Sequence, residues 1–355
     1  MPVFFHEPSL RVHTPQEAIR TFYVFHLQPH RISCGAVCMK RVLITDECHR
    51  LLLDGLERIG LKCDFSPTIS PKEVFDMIHN YYGVIVNSKV LVDREFLDAA
   101  VQLRFVGRLG SGMEIIDQEY AAQKRVVVVS SPEGNRNAVA EHALGMLLAL
   151  MNNLVRADRQ TRENLWRREM NRGTELEGRT IGIIGFGHTG SQFARKLAGM
   201  EMTVLAYDKY KTDYAADMPW VQEADLEAIV QQADIISLHL PLTDETRHFV
   251  DKAFLKRCKP GLILINTSRG ACVKTQDLVR ALENGRIGGA CLDVFENEKP
   301  TTYSSSEASL YKRLHTMENV VLSPHIAGWT HESKRKLAEV LLEKIIAVLY
   351  PPKFA

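Results

Sequence analysis

The chain has 355 residues, of which 45% are hydrophobic and 25% charged, the composition of an ordinary globular protein long enough for two domains. Lysine and arginine total 44 against 43 for aspartate and glutamate, so the formal net charge of +1 gives no sign of a nucleic-acid or membrane surface. The longest apolar run, near residues 143–151, is far shorter than the roughly 20 residues that cross a bilayer.

The first 38 residues show no sustained hydrophobic period, and their charged side chains interrupt any apolar core of a signal peptide. We expect a disordered extension or a start codon assigned too early; a folded regulatory arm is the alternative. Seven cysteines form an odd set without the spacing of a zinc site. This pattern predicts reduced thiols, no metal and a cytoplasmic protein.

Strand-like apolar runs alternate with helical patterns in the first part of the chain. The predicted strands cover 41–45, 83–86, 103–106 and 126–129, and a helix with one apolar face covers 48–59. Such alternation indicates a parallel sheet with helices on both faces. The turn-rich residues 131–134 are expected to end this series.

A long helix is predicted over residues 137–154, and it is apolar almost all round. A helix without a polar face has to be buried between domains or between subunits. We therefore expect a homodimer formed through this region, with burial inside one subunit as the alternative.

A second alternating series follows a turn at residues 176–178. Its last helix, over 333–349, carries one apolar stripe, and its strands are predicted at 180–184, 203–206, 235–239, 262–266, 289–292 and 320–322. The sequence thus predicts the α/β class with two doubly wound parallel-sheet domains.

A glycine-rich turn lies between the strand 180–184 and the helix that follows. Gly185 suits the tight turn, Gly187 lets the backbone approach a pyrophosphate, and Gly190 allows close packing of helix on strand. The next strand ends at Asp208, whose carboxylate would bind ribose hydroxyls and repel a 2′-phosphate. This arrangement predicts a dinucleotide site that prefers NAD to NADP.

Three further segments, 266–270 (NTSRG), 293–298 (DVFENE) and 323–328 (SPHIAG), resemble the D-isomer-specific 2-hydroxyacid dehydrogenase family over residues 40–350. The resemblance implies a flavodoxin-like catalytic domain, formed by 39–138 and 326–355, and an inserted NAD-binding Rossmann domain at 139–325. The substrate would bind in the cleft between them.

The resemblance also implies three catalytic residues. Arg269 would bind the carboxylate and carbonyl oxygen of a 2-keto acid, for which a planar, permanently charged guanidinium is well suited. His325 would be the acid/base, and Glu298 would pair with it and raise the pKa of its imidazole.

Substrate and cofactor contacts follow from the same resemblance. Loops of the first domain would bind substrate through Ser111, Gly112, Asn87, Ser88 and Lys89, although phosphoglycerate-oxidising members commonly have an arginine where this chain has Asn87. The remaining cofactor contacts would be His188, Thr189, His239, Pro241, Thr246, Thr267, Asp293 and His325.

The function implied is NAD-dependent hydride transfer to or from a D-2-hydroxy acid, with D-3-phosphoglycerate and 3-phosphohydroxypyruvate, the chemistry of serine biosynthesis, as the expected pair. A glyoxylate, hydroxypyruvate or D-lactate reductase is the alternative, favoured by Asn87. An NAD-sensing binding protein similar to the family's transcriptional corepressors is an alternative of another class. Since the sequence ends at Ala355, we expect no C-terminal regulatory domain of the kind that some members carry.

Overall fold

The computed structural model describes residues 40–351, so the predicted extension over 1–38 lies outside the described residues. Two parallel β-sheets with helices on their faces make up this part of the chain. The predicted α/β class with two doubly wound sheets is confirmed.

The first sheet has five parallel strands in the order β2-β1-β3-β4-β5, which is the flavodoxin-like order. All four residues of the central strand β3 are buried, as a strand covered on both faces requires. The strands are β1 (Arg41–Ile44), β2 (Lys62–Phe65), β3 (Gly83–Val86), β4 (Phe105–Arg108) and β5 (Val127–Ser130). The helices between them are α1 (Arg50–Arg58), α2 (Pro71–Met77), α3 (Arg94–Ala99) and α4 (Gln118–Gln123), and a 3₁₀ turn covers Ile78–Asn80.

Helices α5 (Pro132–Met151) and α6 (Leu154–Arg162), with a 3₁₀ turn at Glu169–Asn171, connect the two sheets. The prediction of a turn at 131–134 and of a helix beginning at 137 is wrong, because Pro132 and Glu133 form the first turn of α5. Proline is favoured there, since the first helical N–H groups have no partner within the helix. The predicted end at 154 is also wrong, because Asn153 has a left-handed backbone and separates the two helices.

The second sheet has seven parallel strands in the order β12-β11-β10-β9-β6-β7-β8. The strand order changes direction at β6, which has β7 on one side and β9 on the other, as in a Rossmann fold. Its strands are β6 (Thr180–Ile184), β7 (Thr203–Tyr207), β8 (Val221–Glu223), β9 (Ile235–Leu238), β10 (Leu262–Asn266), β11 (Ile287–Leu292) and β12 (Val320–Leu322). Its helices are α7 (His188–Lys196), α8 (Leu226–Gln232), α9 (Lys252–Arg257), α10 (Thr275–Glu283) and α11 (Ser305–Thr316), with 3₁₀ turns at Gly270–Cys272 and Pro300–Thr302.

The last helix, α12 (His331–Leu349), returns to the first sheet. Its buried side chains Leu341, Leu342 and Ile345 share one apolar cluster with Val42 and Ile44 of β1. The helix α5 packs between α7 and α12, so its apolar faces are covered to a large extent within this one chain. The predicted domain limits, at 138/139 and 325/326, therefore fall inside α5 and just before α12, and they stay a prediction.

Two strands, β2 and β8, are absent from the sequence prediction because each is short and lies at an edge of its sheet with polar, exposed residues. The strands predicted at 103–106 and 126–129 begin too early. Leu103 and Val126 are buried, but both side chains reach the core from the turn that precedes the strand.

Candidate active site

The glycine turn after β6 has the geometry that close approach of a phosphate requires. Gly185 has a left-handed backbone with φ of 91°, and a Cβ on Gly190 would collide with the carbonyl oxygen of Gly185. Gly187 is the N-cap of α7, and a Cβ there would meet no atom within 4 Å. The backbone at Gly187 is thus open to a ligand, while the flanking glycines hold the turn tight.

Asp208 lies beside this turn, directly after β7. Its Oδ2 accepts a hydrogen bond from the backbone N–H of Phe186 at 2.9 Å, and its Oδ1 accepts one from that of Tyr210 at 3.0 Å. The two lysines that follow it are engaged with the protein: Lys209 pairs with Glu245 at 2.7 Å, and Lys211 donates to the Phe186 carbonyl at 2.9 Å.

The other predicted cofactor residues of the second sheet differ in exposure. His239 is buried under the glycine turn, 3.0 Å from Ser237 Oγ, and burial lowers the pKa of its imidazole to about 3. Thr246 Oγ1 donates to the carbonyl of Pro241 at 2.7 Å and so closes the exposed loop after β9. His188 and Thr189 open helix α7, partly exposed to solvent.

Thr267 has the one buried side-chain oxygen or nitrogen without a hydrogen-bond partner among residues 40–351. It follows β10 directly, at the carboxyl edge of the second sheet. Buried hydroxyls are nearly always hydrogen-bonded, so Oγ1 of Thr267, at the carboxyl edge of the second sheet, is available to a ligand. The open Gly187 backbone and this hydroxyl both fit a dinucleotide.

His325 and Glu298 are brought together although 27 positions separate them, with Nδ1 of the imidazole 2.8 Å from Oε2 of the carboxylate. The hydrogen bond that His325 donates to Glu298 raises the pKa of His325 and outweighs the opposing effect of burial. Burial raises the pKa of Glu298, but the hydrogen bond and charge of His325 outweigh it, and the net pKa lies below its ordinary value. Because Nδ1 is the nitrogen engaged by Glu298, and Nε2 has no hydrogen-bond partner among residues 40–351, Nε2 is available to a substrate.

Asp293, predicted to contact the nicotinamide, is fully buried and anchors the loop that carries His325. Its carboxylate accepts hydrogen bonds from Ser323 Oγ at 2.6 Å and from the backbone N–H groups of Ile326 and Ala327 at 2.8 Å each. Its carbonyl accepts from the His325 N–H at 2.7 Å, and His325 itself has a left-handed backbone with φ of 58°. The nicotinamide contact stays a prediction; the structure adds an anchoring role.

Arg269 connects the two sheets. Its Nε lies 2.7 Å from Oε1 of Glu114 and its Nη2 lies 3.4 Å from Oε2, and Glu114 belongs to the loop between β4 and α4. Its Nη1 donates to the Ser268 carbonyl at 2.7 Å. The positive charge of Arg269 also lowers the pKa values of His325 and Glu298, so the three predicted catalytic residues share one electrostatic environment.

The substrate loops of the first sheet contain two charged residues that the sequence did not single out, Glu114 and Arg108. Arg108 ends β4; its Nη1 donates to Asn87 Oδ1 at 2.8 Å and its Nε to the Gly112 carbonyl at 2.9 Å. Burial and the nearby charge of Arg269 lower the pKa of Arg108 to about 10. The sequence could have indicated Arg108 through its position, because it lies directly before the glycine loop at the carboxyl end of a parallel strand, where ligands bind in such sheets.

The remaining predicted substrate residues have protein partners or face solvent. Lys89 Nζ donates to the Pro67 carbonyl at 2.7 Å, and Ser111 Oγ donates to Asn135 Oδ1 at 3.0 Å. Ser88 is exposed, and Gly112 packs against Arg269 and Glu114.

Between Lys40 and Pro351, no single helix has both the length and the apolar composition of a membrane span. Helices α5 and α6 meet that test only as a pair, and they are bent by 63° where they join.

Known proteins are similar to this chain over most of the part that the structure describes. A "D-3-phosphoglycerate dehydrogenase" of Archaeoglobus fulgidus is 33% identical over 306 residues, which are 86% of this chain and 56% of that protein. A "Hydroxypyruvate reductase" of Thermotoga maritima is 33% identical over 80% of this chain and 90% of its own length. The chain therefore spans about half the length of the phosphoglycerate dehydrogenases that it matches.

A solved structure of D-lactate dehydrogenase from Aquifex aeolicus, in complex with NAD and lactic acid, is 26% identical with a TM-score of 0.75, covering 87% of this chain and 95% of that one. The model for the NAD-binding domain of one family matches residues 144–327. That domain contains the glycine turn, Asp208 and Arg269, and it ends at the loop of His325. The chain belongs to the D-isomer specific 2-hydroxyacid dehydrogenase family.

Proposed function

We propose that this protein is an NAD-dependent D-2-hydroxyacid dehydrogenase. The observation that carries the proposal is the imidazole of His325, hydrogen-bonded to Glu298 at 2.8 Å in the electrostatic environment of Arg269. A proton carrier beside a fixed cation is what reduction of a 2-keto acid needs from the protein, because the carbonyl oxygen gains a proton while the carboxylate has to be held in place.

In the proposed reduction, Arg269 and His325 have different roles. Arg269 binds the substrate carboxylate and polarises the carbonyl oxygen, and the backbone of residues 110–112 faces the same carboxylate. Protonated His325 holds the proton at Nε2 and gives it to the carbonyl oxygen as that oxygen becomes a hydroxyl. When bound, the nicotinamide supplies the hydride to the carbonyl carbon in this direction and accepts it in the other.

Glu298 keeps His325 in the protonated form and fixes Nδ1 as the nitrogen that faces the protein. Asp293 positions the imidazole through the backbone of residues 325–327. For the cofactor, Asp208 supports NAD over NADP, since both neighbouring lysines already have partners in the protein.

For the substrate we propose 3-phosphohydroxypyruvate and D-3-phosphoglycerate. Arg108 supports this pair, because its guanidinium lies against Asn87 and brings a positive charge to the loop where the sequence lacks an arginine. The similarity to the phosphoglycerate dehydrogenase of Archaeoglobus fulgidus agrees with it.

A reductase of unphosphorylated keto acids is the second candidate. Arg108 and Lys89 both have carbonyl or amide partners in the protein, so a phosphate would have to displace those hydrogen bonds. The hydroxypyruvate reductase of Thermotoga maritima also matches over 90% of its length.

The experiment that tests the function follows NADH oxidation by the purified full chain with phosphohydroxypyruvate, hydroxypyruvate, glyoxylate and pyruvate. The highest kcat/KM with phosphohydroxypyruvate supports the first pair, and its loss in an Arg108→Gln variant would assign the phosphate to Arg108. A preference for another keto acid selects the reductase. No oxidation with any of the four would remove the proposal and favour an NAD-sensing binding protein.

We also propose a homodimer. Packing of α5 against α7 and α12 within one chain already covers much of its apolar surface. The segment after it, however, exposes four large apolar side chains, Leu154, Val155, Trp166 and Met170. Exposed apolar groups of this size are typical of an interface. Light scattering at micromolar concentration is expected to give twice the chain mass of 40.1 kDa, and a monomer mass would contradict the proposal.

A further inference from the structure

The carboxylate that Arg269 binds in this structure belongs to the protein itself. Glu114 lies 2.7 Å from Nε and 3.4 Å from Nη2 of the guanidinium, and Nη1 is engaged by the Ser268 carbonyl at 2.7 Å. Nε and Nη2 form one of the two guanidinium edges that can receive a carboxylate in a bidentate pair, and Nη1, which the other edge needs, is already bonded to Ser268. The position that the proposed function gives to the substrate carboxylate is therefore occupied by Glu114.

The pair lies close against the glycine loop of the first sheet. A Cβ on Gly112 would collide with Nη2 of Arg269 and with Oε2 of Glu114. The two side chains thus lie directly against Gly112, in the segment 110–112 that is expected to face the substrate carboxylate. Glu114 and a bound 2-keto acid would compete for the same atoms.

The charges near the site favour an exchange of one anion for another. Arg108 and Arg269 act on each other as like charges, and Glu114 offsets them. Burial raises the pKa of Glu114, but the hydrogen bond and charge of Arg269 outweigh it, so the side chain is ionised at neutral pH. If Glu114 leaves, two partly buried cations face the cleft, and an incoming carboxylate restores their neutralisation.

Glu114 is also able to leave. Its side chain is 31% exposed, and that of Arg269 is 27% exposed, so the ion pair is in contact with water. The two residues belong to loops of different sheets, 155 positions apart, so separation breaks no element of secondary structure.

We propose that Glu114 is an internal competitor of the substrate: its carboxylate occupies the anion site of Arg269 and has to be displaced before a 2-keto acid binds. This inference rests on the proposed substrate role of Arg269. Glu114 thereby weakens the affinity for substrate and sets KM. A purely structural Glu114, which only holds Arg269 in place, has the opposite consequence, because its removal would disorder the arginine and raise KM.

The test measures binding of oxamate, an unreactive 2-keto-acid analogue, by calorimetry with NADH present, for the wild type and for Glu114→Gln. The glutamine keeps the size of the side chain and removes the charge. We expect oxamate to bind about ten-fold more tightly to the variant, because a charge-assisted hydrogen bond to Arg269 is replaced by a weaker neutral one that is easier to displace, with KM for the keto acid falling in parallel. Glu114→Ala should change both quantities in the same direction.

Glu119→Gln is the matched control, because it removes the same charge from an exposed position in the first turn of α4 and should leave oxamate binding unchanged. Arg269→Ala should abolish the binding of oxamate. Unchanged or weaker binding by folded Glu114→Gln, or no binding by any form, overturns the inference. Failure of the proposed function is seen separately, as absence of NADH oxidation by the wild type with every keto acid.

Discussion

The loops after β9 and β12 each carry a histidine at the carboxyl edge of the second sheet, His239 and His325, and the pKa values of the two are shifted in opposite directions. His239 is buried and bonded to Ser237 Oγ, and burial lowers its pKa to about 3. His325 is half-exposed and bonded to Glu298, and that bond raises its pKa. A neutral hydroxyl partner leaves desolvation unopposed, whereas a carboxylate partner reverses it. Both histidines lie at the same sheet edge, so it is the depth of burial and the partner that set the direction in which each pKa is shifted.

The largest change in activity is expected from replacing His325. His325→Ala should lower kcat for keto-acid reduction by about 10²–10⁴-fold, the usual contribution of a general acid, while NADH binding, followed by fluorescence, is retained. His79→Ala, at an exposed histidine in the 3₁₀ turn before β3, is the control. A His325→Ala enzyme with normal kcat would refute the assignment of the acid/base.

The charge on Glu298 can be removed without removing the histidine. Because Glu298 raises the pKa of His325, and reduction needs the protonated imidazole, kcat/KM should fall as the pH rises through that raised pKa. In Glu298→Gln the pKa of His325 drops, so the falling limb moves to lower pH and activity at neutral pH decreases, with recovery on acidification.

The same loop offers a matched control for this variant. Glu296 pairs with His248 at 2.6 Å, so Glu296→Gln makes the same change two positions away and should leave the limb where it is in the wild type. If the decrease of kcat/KM with pH shifted equally in both variants, the shift would come from the general loss of negative charge and not from the Glu298–His325 pair.

The smallest effect is expected at His239. His239→Leu leaves the buried Ser237 hydroxyl without its partner and should lower the free energy of unfolding by about 1–3 kcal/mol, measured by urea denaturation. The pH at which kcat/KM decreases should be the same as in the wild type. The double variant His239→Leu/Ser237→Ala should recover part of the lost stability, since no unpaired hydroxyl remains; equal destabilisation of both would assign the loss to packing instead.

The sequence predicted those parts of the site whose determinants are local. The turn at Gly185, Gly187 and Gly190 is a short segment whose spacing follows from backbone geometry, and the buried strand β3 is a continuous apolar run. The strands β2 and β8 were missed because edge strands with polar residues lack such a run.

Contacts between distant loops could not be read in this way. The pairing of Arg269 with Glu114 joins positions 155 apart, and the bond from Arg108 to Asn87 depends on β3 and β4 being neighbours in the sheet. The anchoring of the His325 loop by Asp293 likewise depends on β11 lying beside β12. Residue type and spacing indicate which groups are available, but only the strand order determines which of them meet.

The return of α12 to the first sheet has a consequence for how the protein is made. The apolar cluster under β1 is completed by Leu341, Leu342 and Ile345, which the ribosome delivers only after the strands of the second sheet. The second sheet is complete in sequence by residue 322 and needs no such delay. During synthesis, one face of the first sheet therefore stays exposed to solvent while the second sheet forms. Chains that stop before α12 would keep this apolar face exposed, so we expect chaperones and proteases to bind them.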